Sequence, residues 1–289
     1  MMIEESKSKR KFKAELIKKL PFFPDDRDTL QQLESEGLGN VMFYYLHWST
    51  RQVPSRIRKV HIYPELTADK RYRVLKEQIK LFRDKVSNGE DLSPYLSLRA
   101  HKKGYTPRQR IIDGEADSWE DKDQILNTKG FHHFHLDMTV QHTGLSVRTN
   151  EVLFAKVTRT EFHAVAIFDH SVFEPADENG NLELERKRMW DIHEKYTTMG
   201  MAPGTVYMTS PIASSGHPVG IRLMADRYMH TIKQYDSKLS DRIFVNQLYQ
   251  DGNLPPPERY KLEWQIDALD LVIFDKKNNI KFIVYQGYL

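Results

Sequence analysis

The sequence predicts an α+β fold built around an antiparallel sheet, and two observations support this prediction. Helical spacing of apolar residues dominates the first third of the chain, whereas three runs rich in Phe, Val, Ile and Leu follow one another in the middle. The links between these runs are short, which favours an antiparallel meander because parallel strands need long crossover connections. We expect an N-terminal helical portion, a central sheet, and a C-terminal helix followed by a β-hairpin.

The N-terminal portion is expected to be mainly helical. Helices are predicted over residues 5–20, 26–36 and 68–88. Gly89 ends the third helix, because glycine adopts the left-handed conformation that closes a helix at little cost. The aromatic run 41–46 predicts a strand, and the polar stretch 99–124 predicts a long loop.

Three successive strands are predicted in the middle of the chain. They cover residues 131–136, 151–157 and 162–169. Helices are predicted over residues 184–196 and 219–239, with a short strand over 206–208. The alternation of elements indicates that the sheet packs against helices.

The sequence of the C-terminal region predicts a β-hairpin that follows a proline-rich linker. Three prolines after Leu254 forbid a helix there. Strands over 262–274 and 280–285 then flank a polar turn. Two portions are therefore expected, a mainly helical one over 1–98 and an α+β core with the hairpin over 99–289, packed intimately as one domain.

The composition of the chain excludes several classes of function. It has 289 residues, a net charge of +3 and no cysteine, which rules out disulfides, thiolate metal ligands and cysteine nucleophiles. Neither a Walker-type phosphate-binding loop nor a Gly-x-Ser-x-Gly nucleophile elbow occurs, so no nucleotide cofactor is expected. The sequence contains no apolar run that predicts a membrane span and no signal-peptide pattern, so we expect a cytoplasmic protein.

The segment 130–137 is the strongest candidate for a functional site. Histidine is the side chain whose ordinary pKa lies nearest neutrality, so a group of histidines suits acid–base chemistry or metal binding. In a strand, His133 and His135 alternate with Phe134 and Leu136. Both imidazoles would then leave the same face of the sheet, about 7 Å apart.

Two further residues are expected to join this pair. Arg148 lies just before the second predicted strand, and His170 lies at the end of the third. Such a group suits cleavage of RNA without a metal, because one histidine can remove the proton of the 2′-hydroxyl and another can protonate the leaving oxygen. Arginine would stabilise the charge that develops on the phosphate. His133, His135, Arg148 and His170 are therefore the predicted catalytic residues.

The order of short motifs in this region resembles a known family. The segment contains Gly130, His133-Phe-His135-Leu, Arg148-Thr-Asn-Glu151-Val-Leu-Phe-Ala-Lys-Val and His170-Ser171-Val172-Phe173. Over about residues 130–174, this order resembles the core of the RelE/YafQ-type toxin ribonucleases. The resemblance implies a small α+β sheet that cleaves RNA, a toxin or phage-defence role, and an antitoxin-like protein partner.

The chain departs from that family in its length. Members are compact single domains, whereas this chain has long flanks on both sides of the matching segment. The Gly-x-His-His-x-His-Leu and Leu-Phe-Ala segments also resemble bacterial proteins that carry no assigned activity. This second similarity implies no function.

Two other interpretations of the same residues remain open. A strand with the pattern His-x-His presents two imidazoles to one ion, so His133, His135 and His170 are also predicted ligands of a divalent metal such as zinc in a metal-dependent hydrolase. The ribonuclease interpretation requires no cofactor. The non-enzymatic alternative is a module that binds nucleic acid or protein and uses its histidines for packing.

Basic residues on both sides of the helix at 68–88 are predicted to contact an RNA substrate. They are Arg56, Arg58, Lys102, Lys103 and Arg108. Lysine and arginine side chains bind nucleic-acid phosphates, so these residues would form a basic rim if they lie beside the sheet.

Overall fold

The computed structural model describes residues 6–289 and shows an α+β protein with two sheets, which confirms the predicted fold class. The strands are β1 (Lys59–Ile62), β2 (His132–His135), β3 (Glu151–Val157), β4 (Glu161–Asp169), β5 (Leu262–Asp267), β6 (Asp270–Asp275) and β7 (Ile280–Tyr285). The first sheet is mixed, with the order β1-β4-β3-β2, and the second is antiparallel, with the order β5-β6-β7. Within residues 6–289, no helix is long and apolar enough to cross a membrane.

Helices make up much of the remaining chain. They are α1 (Lys7–Lys19), α2 (Arg27–Ser35), α3 (Leu38–Ser49), α4 (Pro64–Ala68), α5 (Tyr72–Asn88), α6 (Leu98–Lys102), α7 (Arg108–Ile112), α8 (Gln124–Lys129), α9 (Leu184–Thr198), α10 (Val219–Tyr235) and α11 (Arg242–Asp251). The longer helices predicted from the sequence are confirmed. The stretch 99–124, predicted as a long loop, contains most of the short helix α6 and all of α7.

The chain divides into two compact units, and each unit combines stretches that are distant in sequence. The terminal unit contains residues up to Thr50, Lys102–Lys122 and Ala213–Leu289. The central unit contains Arg51–His101 and Asp123–Ile212. The sequence-based division at residue 98 follows chain order, whereas these units interleave along the chain.

In the terminal unit, the aromatic run 41–46 is helical, so the predicted strand is wrong. It lies within α3, where the buried residues recur at the spacing of one helix face. They are Leu38, Val41, Met42, Tyr45, Leu46, His47 and Ser49. A short aromatic run does not distinguish a strand from a buried helix, and here α3 packs between α1 and α10.

The C-terminal sheet has one more strand than the predicted hairpin. The predicted strand 262–274 is two strands, because a turn at Ala268, with φ of 56°, reverses the chain between β5 and β6. β6 and β7 then form the hairpin around the polar turn, as predicted. The predicted strand at 206–208 is also wrong, since Val206 and Met208 lie exposed in irregular chain.

The central unit contains the predicted meander. β2 pairs antiparallel with β3, and β3 pairs antiparallel with β4. β1, which the sequence pattern did not predict, adds a parallel strand at the far edge of β4. Because alternate residues of a strand face opposite sides, His133 and His135 share one face of this sheet while His132 and Phe134 share the other.

Aromatic packing holds the face opposite His133 and His135 against α5. The Phe134 ring lies 5.1 Å from the Phe82 ring and 5.5 Å from the Phe162 ring, measured between centroids. All three side chains are fully buried. This packing fixes β2 relative to β4 and therefore the histidines that β2 carries.

Removing the Phe134 ring should destabilise the central unit. Phe134→Ala would leave a cavity between Phe82 and Phe162, so we expect the free energy of unfolding to fall by about 3–5 kcal/mol. Val74→Ala is the control, because Val74 lies on the same helix as Phe82 but is 80% exposed. Its effect should stay below about 0.5 kcal/mol in urea denaturation. Similar losses for both variants would contradict this account of the core.

Candidate functional site

The pairing of β2, β3 and β4 brings the four predicted catalytic residues to one end of the central sheet. His135 is paired with Val152, and Val152 is paired with Phe168. The end of β2, the start of β3 and the end of β4 therefore lie side by side. Arg148 comes just before β3, and His170 directly follows β4. We call His133, His135, Arg148 and His170 the β2 cluster.

The side chains of the β2 cluster lie within interaction range of one another. The imidazoles of His135 and His170 stack, with ring centroids 5.6 Å apart and planes inclined by 26°. The Phe173 ring lies 4.9 Å from the His133 ring and 5.7 Å from the His170 ring. Phe173, which sequence analysis did not single out, therefore forms an apolar contact between these two histidines.

Backbone hydrogen bonds determine which ring nitrogen carries the proton in the stacked pair. Nδ1 of His170 lies 2.7 Å from the carbonyl oxygen of Asn150, so Nδ1 donates and Nε2 keeps its lone pair in the neutral ring. At His135 the assignment is the opposite, because the backbone N–H of Thr149 donates to Nδ1 over 3.4 Å, so Nδ1 is the acceptor. Nε2 of neutral His135 is then the protonated nitrogen. The pair offers one hydrogen-bond acceptor and one donor.

Burial keeps two of the imidazoles in their neutral form. His135 is only 4% exposed, and burial lowers its pKa to about 3, with a smaller contribution from the Arg148 guanidinium. Burial also lowers the pKa of His133, while the carboxylate of Asp123 acts in the opposite direction. His170, by contrast, lies exposed at the end of the sheet. The cluster thus combines buried neutral imidazoles with one that solvent reaches.

Asp123 supplies a carboxylate to this cluster that the sequence analysis missed. Its Oδ2 lies 3.5 Å from Nδ1 of His133. Its Oδ1 accepts a hydrogen bond of 2.9 Å from the backbone N–H of Leu126, which caps α8. The capping bond fixes Asp123 beside the histidine. Its position as an N-cap before α8 is the signal in the sequence, but it does not reveal the contact with His133.

Arg148 is held at the cluster by the backbone and remains open to solvent. One of its terminal nitrogens donates to the carbonyl oxygen of Leu96 over 2.9 Å. His101 lies near the same guanidinium, and its pKa is lowered by burial first and by Arg148 to a lesser extent. Nε2 of His101 lies 2.9 Å from the carbonyl oxygen of Ser93. A positive charge is therefore fixed beside the stacked histidines.

The predicted RNA-binding residues have different environments. Arg58 is 2% exposed, and its guanidinium donates to the carbonyl oxygens of Thr158 and Pro54, each over 2.8 Å. Burial lowers its pKa to about 10. Arg58 therefore links two chain segments inside the central unit by hydrogen bonds. Arg56, two residues before it, is half-buried.

The other three basic residues belong to the terminal unit. Lys102 and Arg108 are exposed there, and Lys103 forms an ion pair with Glu120. Lys102 and Arg108 are available to solvent within that unit, whereas Lys103 is half-buried and paired. Their contribution to RNA binding stays a prediction.

The arrangement of possible metal ligands differs from the pattern that the sequence suggested. Across residues 6–289, one group of three His, Asp or Glu side chains has all its ligand atoms within 4.8 Å of one another. That group contains His61, Glu161 and His163 rather than the three histidines of the β2 cluster.

Comparisons with protein-family models, with curated proteins and with solved structures found no match to this chain. The resemblance of residues 130–174 to RelE/YafQ-type toxin ribonucleases therefore stays a prediction from short motifs. The chemistry of the β2 cluster rests on its own geometry.

The low pKa of His135 predicts acid sensitivity of the fold. The unfolded chain binds a proton at this histidine below about pH 6.5, its ordinary pKa. The folded protein does so only near pH 3, the value to which the pKa of His135 falls. The contribution of His135 to the free energy of unfolding should therefore be fully present above pH 6.5. It should decrease as the pH falls from there towards 3.

Urea denaturation at about pH 7.5 and about pH 5 measures this effect, since the two values lie on either side of the ordinary histidine pKa. In His135→Asn, whose amide oxygen can still accept from Thr149, the decrease between the two pH values should be smaller than in the unsubstituted protein. His142→Asn changes an exposed histidine and should retain the full decrease. An unchanged pH dependence in His135→Asn would contradict a buried neutral imidazole.

Proposed function

We propose that the protein is a metal-independent endoribonuclease whose active site is the β2 cluster. The observation that carries the proposal is the stacked pair of His135 and His170 beside Arg148, with one acceptor and one donor nitrogen in the neutral rings. Transfer of a phosphoryl group from the 5′-oxygen to the 2′-oxygen of RNA needs a base, an acid and stabilisation of phosphate charge. The β2 cluster supplies groups of each kind.

His170 has the role of general base. Its Nδ1 proton is engaged by the carbonyl oxygen of Asn150, which leaves the lone pair of Nε2 to accept the proton of the 2′-hydroxyl. The ring is exposed, so an RNA strand can reach it. A carbonyl partner also orients the ring in the way that enzymes commonly orient a catalytic imidazole.

His135 and Arg148 bind the phosphate. Neutral His135 donates from Nε2, and its low pKa means that it keeps this role at neutral pH rather than carrying a charge. The guanidinium of Arg148 provides the positive charge that stabilises the dianionic transition state. The bond from Arg148 to Leu96 holds that charge in place before RNA binds.

His133, paired with Asp123, is the group that protonates the leaving 5′-oxygen. Burial keeps His133 neutral in the free protein, and the negative phosphate of a bound RNA, together with Asp123, then favours uptake of the proton that His133 delivers. The proton taken up by His170 and the proton released by His133 then balance over one cleavage. The expected product ends are a 2′,3′-cyclic phosphate and a 5′-hydroxyl.

Several wider properties belong to the same proposal. They are a cytoplasmic location, a role as a toxin or in phage defence, and an antitoxin-like protein partner, as the resemblance implies. A metal-dependent hydrolase centred on His133, His135 and His170 is less well supported, because the ligand atoms of these three residues do not form a group within 4.8 Å. A non-enzymatic nucleic-acid-binding module is the alternative that the cleavage experiment distinguishes.

The proposal predicts RNA cleavage that depends on His170 and Arg148 but not on a metal. The full chain, incubated with a defined single-stranded RNA and excess EDTA, should produce fragments with cyclic phosphate ends. His170→Ala should reduce the cleavage rate by about 10²–10⁴-fold, as expected for loss of a general base. Arg148→Ala should reduce it by about 10²–10³-fold, with partial recovery in Arg148→Lys.

His142→Ala is the matched control, because His142 is an exposed histidine of the same unit that lies outside the β2 cluster. It should cleave at the unsubstituted rate. Equal cleavage by the unsubstituted protein and His170→Ala would overturn the proposal. RNA that is bound but stays intact would favour the binding module, and loss of cleavage on adding EDTA would exclude the metal-free mechanism.

A further inference from the structure

A second group of ionisable side chains lies at the opposite edge of the same sheet face. His61 of β1 is paired with His163 of β4, and Lys59 is paired with Glu161 in the same parallel ladder. Because side chains alternate along a strand, His61, Glu161 and His163 all leave one face of the sheet. We call these three residues the β1 triad. The sequence analysis did not identify it, since β1 was not predicted.

The carboxylate of Glu161 lies between the two imidazoles. Its Oε1 is 3.4 Å from Nε2 of His61, and its Oε2 is 3.1 Å from Nε2 of His163. Nε2 of His61 is shielded from solvent and makes no hydrogen bond, although it faces this carboxylate. Two imidazole nitrogens and a carboxylate therefore converge on one place.

These distances match those between the ligands of a bound metal ion. Zinc binds imidazole nitrogen and carboxylate oxygen at about 2.0–2.2 Å, so neighbouring ligand atoms in a tetrahedral site are roughly 3.3–3.5 Å apart. The two nitrogen–oxygen distances of the β1 triad, each to a different oxygen of the Glu161 carboxylate, are near that value, and one ligand atom from each residue lies within 4.8 Å of the others. The two rings are nearly parallel, inclined by 11° with centroids 4.7 Å apart, so the imidazoles need to tilt towards each other to share an ion.

Nδ1 of His163, the ring nitrogen that does not face Glu161, also has a hydrogen-bond partner. The hydroxyl of Tyr63 lies 3.4 Å from Nδ1 of His163. A histidine that binds a metal through Nε2 usually donates its Nδ1 proton to a carboxylate, a carbonyl or water, which orients the ring, and a tyrosine hydroxyl can accept this proton in the same way. The Tyr63 ring in turn packs against the Tyr196 ring, with centroids 4.9 Å apart. The His163 ring is thus supported in an orientation suitable for ligation.

We propose that the β1 triad binds a divalent first-row transition-metal ion such as zinc. Two imidazoles and one carboxylate are a ligand set that zinc and iron sites use while leaving a position open for water or substrate. Lys59 and Lys156, which are paired with Glu161 and His163, place positive charges nearby and limit the affinity. This site is separate from the β2 cluster and goes beyond the proposed ribonuclease activity.

The test is a titration of the full chain with zinc chloride, after treatment with a chelator and removal of any affinity tag. Calorimetry should show one equivalent of zinc bound with micromolar affinity. Titration with cobalt(II) should produce the visible absorption bands of a tetrahedral or five-coordinate site. Glu161→Gln and His163→Ala should each weaken zinc binding at least tenfold, and Tyr63→Phe should weaken it about tenfold by removing the partner of Nδ1.

Two controls decide where the zinc binds. His170→Ala changes the β2 cluster and His142→Ala changes an exposed histidine, and both should bind zinc as the unsubstituted protein does. Circular dichroism without metal shows whether each variant is folded. Absence of zinc binding by the unsubstituted protein would overturn the proposal, as would binding that survives in folded Glu161→Gln and His163→Ala. Zinc binding that is lost in His170→Ala would instead assign the ion to the β2 cluster.

The outcomes of the two proposals are independent of each other. RNA cleavage in EDTA tests the β2 cluster, and zinc binding by folded variants of the β1 triad needs no enzymatic readout. Failure of either experiment leaves the other unaffected.

Discussion

The pairing register of β2, β3 and β4 is the constraint on which the candidate site depends. A strand presents alternate residues to opposite faces, so a shift of one residue in β2 would turn His133 and His135 away and bring His132 and Phe134 in their place. The aromatic contacts of Phe134 prevent such a shift, because that ring is enclosed by Phe82 and Phe162. Packing on one face of the sheet therefore determines which histidines of β2 lie on the opposite face.

The chemical character of the site follows from differences in burial among similar side chains. His135 and His133 are shielded and neutral in the free protein, whereas His170 and Arg148 are reached by solvent. Exclusion of water disfavours a second positive charge next to Arg148, which is why an imidazole rather than an imidazolium stacks there. One residue type thus acquires several distinct properties within a single cluster.

The face that carries the histidines has an apolar middle and polar ends. Between the β2 cluster and the β1 triad, Phe154 and Phe168 belong to a buried core that includes Met189 of α9. This core holds β4 in place between the two groups, and β4 contributes Glu161 and His163 at one end and leads into His170 at the other. A single well-packed strand therefore positions residues for two separate sites.

The sequence by itself determined the elements whose signal is local. Alternation along β2 separated His133 and His135 from His132, and short links between apolar runs indicated the antiparallel meander. Helical spacing likewise located α1, α2, α5 and α10, because the period of apolar residues reflects the geometry of the helix itself.

Tertiary structure alone decided the features that depend on contacts between distant residues. The aromatic run 41–46 became helical because α1 and α10 cover it, and a short apolar run carries no period that distinguishes the two structures. Asp123 contacts His133, and His61 pairs with His163, only because the fold brings together residues that are separated in the sequence. Burial also lowered the pKa of His135, and burial is a property of the packed fold rather than of the sequence.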